Sequence, residues 1–143
     1  MPTPHESATL LLRLYELRRE STMREARNWF AMEFNPSSFD EVVQAVMGPH
    51  SGHYRMVTSY WDMAASFVLN GAIDEQMFND ANGEQVGVFA KVEPYLTDYR
   101  ARVGNPKYLS QLEQIVLRRP GAKEQLAAMR EWFRSRAAAA VKT

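Results

Sequence analysis

The chain has 143 residues, with 17 Lys plus Arg against 17 Asp plus Glu and a formal net charge of zero. That length suits one domain with a sizeable buried core, and the neutral balance argues against the broad positive field of a nucleic-acid binder. Cysteine is absent, which excludes thiolate catalysis, cysteine zinc sites and disulfides.

The N-terminus does not read as a signal peptide: Leu10-Leu11-Leu12 is interrupted at once by Arg13, with Glu16, Arg18 and Arg19 close behind. A spanning helix needs about 20 mostly apolar residues, and no window supplies them. The expectation is a cytoplasmic protein of bacterial type without a membrane span.

Helical signals dominate in chain order. Thr3-Pro4-His5-Glu6 reads as a capping box with proline in the first turn, ahead of Leu10, Leu14 and Leu17 at helical spacing. A second start is predicted at Thr22 and Glu25, followed by Met23, Ala26, Phe30 and Phe34 with period 3.6. Asn35-Pro36-Ser37 punctuates, and Ser38 with Glu41 opens a short helix to about Met47. Gly48 to Gly52 is a loop. His53–Asn70 is apolar nearly all round, which marks a buried central helix. Asp74 caps a short helix to about Asp80. Gly83–Val103 keeps its phase across Pro94 and is predicted as one kinked helix. Asn105-Pro106 begins the next, with Leu109, Leu112, Ile115 and Val116 inward. The last helix carries Leu126, Met129 and Phe133, then an alanine tail at 137–140 expected to fray.

Leu11 to Arg18, Met23 to Phe30, Tyr60-Trp61-Asp62, Gly71 to Glu75 and Met77-Phe78 together resemble a bacterial all-helical domain family of unknown function. Its members often place a membrane anchor ahead of such helices. The likeness spans about residues 8–103, leaves the helix pair at 105–140 without a counterpart and brings no activity, so no catalytic residue is transferred.

Several constellations carry possible chemistry. His50 and His53, with Asp40, Glu41 or Asp62, offer donors for zinc, although the spacing is not diagnostic and a solvated loop with a histidine near a helix start explains the pair better. Residues 82–93 echo a calcium loop, with Gly87 sixth and Glu93 twelfth, but Asn82 and Val86 replace two ligands and an amphipathic helix fits the same residues. Asp62 lies on the most apolar helix, so a buried ion pair with Arg55 or with Arg100 or Arg102 is expected. A ligand pocket formed by Tyr60, Trp61, Asp62 and Arg55 is the functional alternative. Arg118, Arg119, Lys107 and Lys123 make a local basic patch. No Walker loop, dinucleotide fingerprint or nucleophile elbow occurs, and no cofactor is expected.

The residues therefore predict a single all-α domain over 1–143, of about seven or eight helices around His53–Asn70. The leading functional expectation is a non-catalytic interaction module that forms a homodimer through its N-terminal helices, with Trp29 or Met32 near the centre. The alternative is a small-ligand sensor with a pocket near Trp61 and Asp62.

Overall fold

A computed structural model describes residues 1–142 of the chain and the side chains through residue 140. The fold is all-α. Among the described residues are nine α-helices: α1 (Pro4–Arg19), α2 (Ser21–Met32), α3 (Phe39–Met47), α4 (Ser51–Leu69), α5 (Glu75–Ala81), α6 (Glu84–Val92), α7 (Leu96–Val103), α8 (Ser110–Leu117) and α9 (Ala122–Lys142). Backbone at Glu93–Tyr95 tightens to one 3-10 turn between α6 and α7. No multi-residue coil separates those two helices, so Pro94 interrupts a continuing helical path, as the unbroken phase predicts. Taken as one rod, they bring the count to eight.

The apolar helix is α4. Tyr54, Val57, Trp61, Ala64 and Ala65 are fully enclosed, with α2 packed on one side and α8 on another, while α3 and α6 complete its surroundings. Burying a large apolar side chain stabilises by roughly 1.5–3 kcal/mol. The stripe from Tyr54 to Val68 is therefore the main anchor of the fold.

Several helix starts follow the sequence. Thr3 and Glu6 form the reciprocal box, with Thr3 N donating to Glu6 Oε1 at 3.0 Å and Glu6 N to Thr3 Oγ1 at 3.1 Å. Met77 N donates to Asp74 Oδ2 at 2.9 Å. The second box is displaced: Glu20 is the cap, its carboxylate accepting from Met23 N at 2.9 Å, so α2 begins at Ser21 and not behind Thr22. At α3, Ser38 Oγ accepts from Glu41 N, but the Glu41 carboxylate turns to Ser37 N and Oγ.

The C-terminal part differs more. Asn105-Pro106 does not open a helix; α8 starts at Ser110, after Leu109 in the left-handed region at φ 55°. The alanine tail expected to fray is helical, because α9 runs unbroken to Lys142. The calcium-loop echo is overturned: Gly87 sits mid-way along α6, buried, where α9 crosses closely. A Cβ there would meet Met129 Cε at 3.2 Å, so the glycine serves helix packing.

Candidate functional site

The residues singled out around Asp62 face two directions. Trp61 is fully buried, with the Arg18 guanidinium 5.2 Å above its ring. Tyr60 points toward α1, its hydroxyl donating to the Leu14 carbonyl at 2.7 Å. Burial pushes the Tyr60 phenol up to about 12. Neither is among the residues that line the cleft shared by Arg55 and Asp62, so the structure divides the four residues grouped from sequence.

Arg55 and Asp62 do line one cleft, between α4 and the loop joining α7 to α8, with a volume of about 650 Å³. Tyr99, Lys107, Tyr108 and Gln111 supply its other main walls. Among the described residues Asp62 has no ion-pair partner, contrary to expectation. Its Oδ1 accepts from Leu112 N at 3.0 Å, inside the first turn of α8. In the amide orientation that satisfies both its ends, Gln111 donates to Oδ2 at 3.0 Å and Oδ1 at 3.2 Å. The physical reason is that the orphan N–H groups of a helix start attract a carboxylate as a cation does. Burial raises the Asp62 pKa, opposed by the Leu112 and Gln111 backbone N–H groups and by Arg100. Arg100 itself pairs with Glu113 at 3.0 Å and donates to the Tyr108 carbonyl at 2.9 Å.

That second bond shapes the cleft wall. Tyr108 lies 3.0 Å, oxygen to oxygen, from the Tyr54 hydroxyl, and its ring centroid is 4.6 Å from that of Tyr99. Burial pushes Tyr108 up to about 12 and Tyr54 up also, so both are neutral phenols at ordinary pH. Leu109, next in the chain, is buried in a conformation that costs a non-glycine residue on the order of 1–3 kcal/mol. No sequence signal marks Leu109 as left-handed, and Tyr99 and Tyr108 meet only through the tertiary fold.

The histidine pair has a packing role. His50 stacks on Trp29 at 5.1 Å between centroids, and His53 lies 6.1 Å from the same ring. Among the described residues no group of three His, Asp or Glu side chains is placed to hold a metal ion. The zinc reading is left without a third ligand. Trp29, expected near an interface, is only 6% exposed, enclosed by that stack and by Phe34 at 5.3 Å. Met32 is 52% exposed, and its sulfur accepts from Arg136 at 2.9 Å. The basic patch is dispersed: Arg118 pairs with Glu75 and Arg119 with Asn79, while Lys107 faces the cleft.

Lys91, a lone lysine inside the apolar run 86–92, is only 6% exposed. Its Nζ donates to the carbonyls of Phe30 at 2.7 Å, Ala31 at 3.1 Å and Phe34 at 2.8 Å. These include orphan carbonyls of the α2 C-terminus, where a cation is favoured. The Phe133 ring covers the ammonium at 4.4 Å. Burial, the leading cause, lowers its pKa to about 8.

A family model described as a domain of unknown function (DUF4760) matches residues 3–118. The chain belongs to that family. The match reaches past the 8–103 span of the resemblance and takes in α8, so only α9 of the expected C-terminal pair lies outside it. No curated protein and no solved structure matches the chain. Among the described residues, no helix is long and apolar enough to cross a membrane.

Proposed function

We propose that this DUF4760 domain is a non-catalytic helical interaction module that self-associates through α1. One observation carries the reading: α1 leaves large apolar side chains in solvent, with Leu12 63% and Tyr15 49% exposed, besides Leu10 and Leu17 at its other edge. The helix is fastened to the domain on a narrow face only, through buried Leu14, through Ser7 accepting from Asp74 N at 3.0 Å, and through Arg18 donating to Asn82 Oδ1 at 2.6 Å.

Leu12 and Tyr15 are three residues apart and share the outer face. In an antiparallel two-fold pairing Leu12 of one copy meets Tyr15 of the other, and the contact occurs twice, as a two-fold interface requires. Such a contact removes the most exposed leucine in the chain from water. Trp29 takes no part, being enclosed, and Met32 stands on a separate surface beside α9.

Light scattering coupled to size exclusion at micromolar concentration tests the proposal. The expected mass is that of a dimer, converted to monomer by Leu12→Glu or Tyr15→Glu and unaffected by Met32→Glu. A monomeric wild type sinks the proposal. A dimer broken by Met32→Glu and not by Leu12→Glu moves the interface to the α2 and α9 surface.

A further inference from the structure

We propose that the cleft between α4 and the α7–α8 loop binds a small organic anion bearing a planar ring and an N–H donor, the chemical class that includes nucleoside monophosphates. Arg55 and Lys107 both line the cleft and are both exposed, and among the described residues neither side chain has a hydrogen-bond or ion-pair partner. Arg100, on the neighbouring α7, is by contrast engaged by Glu113 and by the Tyr108 carbonyl. Two unspent cations on one concave surface give an anion its counter-charge, and the arginine fork suits phosphate or carboxylate oxygens.

Tyr99 and Tyr108 provide the ring-binding wall. Both are half-buried and held, Tyr108 by the Tyr54 hydroxyl and by Arg100 at its carbonyl. Aromatic faces accept a planar ring by offset or edge contact. Asp62 lies two helical turns beyond Arg55 on α4, a rise of about 10 Å. Each carboxylate oxygen has two lone pairs; Leu112 and Gln111 fill both on Oδ1 and one on Oδ2, so one on Oδ2 remains. Asp62 thus accepts an N–H from the ring end of the ligand, far enough from the anion to limit repulsion.

The loop is built for this shape at a cost. Gly104 ends α7 in the left-handed region, Asn105 Oδ1 accepts from Lys107 N at 3.1 Å, and Leu109 is held at φ 55°. Strain of that kind on a non-glycine residue clusters at binding and active sites. Here it positions Lys107 and Tyr108 against α4.

The test uses the intact chain with adenosine monophosphate, adenosine and inorganic phosphate as probes, in titration calorimetry and by chemical-shift perturbation. The monophosphate is expected to bind with a dissociation constant below about 1 mM, and the two fragments at least about tenfold more weakly. Arg55→Ala with Lys107→Ala is expected to weaken the monophosphate at least about tenfold, and Tyr99→Leu to weaken it while leaving phosphate unchanged. Both cations are exposed and unpartnered, so the double variant keeps its fold, checked by unchanged thermal unfolding. Equal binding of phosphate and the monophosphate overturns the ring assignment and with it the proposal. Absence of saturable binding up to about 5 mM, or binding indifferent to the double variant, overturns it outright.

Discussion

Pro94 lacks the N–H that would bond the carbonyl four residues back, which is that of Ala90. The structure shows what replaces it. Arg130, on α9, donates from Nε to the Ala90 carbonyl at 2.8 Å and pairs with Glu93 through Nη2. A hydrogen bond involving a charged group is worth about 1.5–3 kcal/mol, and leaving a buried acceptor bare costs a similar amount. The half-screened Glu93 pair adds at most about 1 kcal/mol. Arg130→Met, which keeps the aliphatic stem, is therefore expected to destabilise by about 2–3 kcal/mol. In a Pro94→Ala background the residue-94 N–H is free to bond Ala90, and the same substitution is expected to cost about 1–2 kcal/mol less. Urea unfolding followed by far-ultraviolet circular dichroism on the four proteins gives the coupling directly, with an unchanged m-value as the check on two-state behaviour. If Arg130→Met costs the same in both backgrounds to within about 0.5 kcal/mol, the proline-orphaned carbonyl is not what Arg130 holds.

Asp62→Ala is expected to cost about 1–2 kcal/mol, the loss of a helix cap, and not the larger penalty of breaking a buried ion pair; a loss above about 4 kcal/mol in urea unfolding refutes the capping role. Lys91→Met strips the α2 C-terminus of its donor and is expected to destabilise by about 3 kcal/mol, with the earliest loss of amide-exchange protection at Glu33 and Phe34; uniform loss across all helices contradicts a local cap. Tyr60 and Tyr108 are pushed up to about 12, chiefly by burial, whereas unfolded tyrosine titrates near 10. The folded state then binds more protons between about pH 10 and 12, so this stability is present below 10 and lost as pH rises through 12. Tyr108→Phe is expected to flatten that slope relative to wild type, and an unchanged slope counts against buried phenols as its origin. Lys91, lowered to about 8, acts with the opposite sign at lower pH, so the comparison is made between variants.

Helix positions were legible where the signal is local. Thr3 with Glu6 and Asp74 with Met77 cap as their spacing dictates, because cap and target lie within one turn. The all-round apolar character of residues 53–70 marks α4 as central for the same reason. Competition between local signals was not legible: Glu20 outcompetes Thr22 because its carboxylate already reaches Met23 N. The candidate site was half legible. A carboxylate in an apolar helix signals a partner, and Arg55 on the same strip signals a shared surface. The identity of that partner depends on where α8 starts, which follows from the left-handed Leu109, a conformation leucine propensity disfavours.

The unread part has one physical origin. Short helices leave four N–H and four carbonyl groups unpaired at their ends, and α5 and α8 span only 7 and 8 residues. Chain-local caps cover part of this demand, and the remainder is met across the core. Ser7 of α1 accepts from Asp74 N ahead of α5, Asp62 of α4 accepts at the start of α8, Lys91 of α6 donates to the end of α2, and Arg130 of α9 donates to the carbonyl freed by Pro94. Each side chain is polar or charged, and of the four only Asp62 stands out in the sequence as a candidate for chemistry. Satisfying a helix end across the core also ties the two helices together, since losing either element strands the other's polar groups. The polar residues this scheme does not consume are the informative ones. Within the cleft between α4 and the α7–α8 loop, Arg55 and Lys107 remain uncommitted among the described residues, whereas Asp62 is already largely engaged at the start of α8 and has one acceptor position left for a ligand.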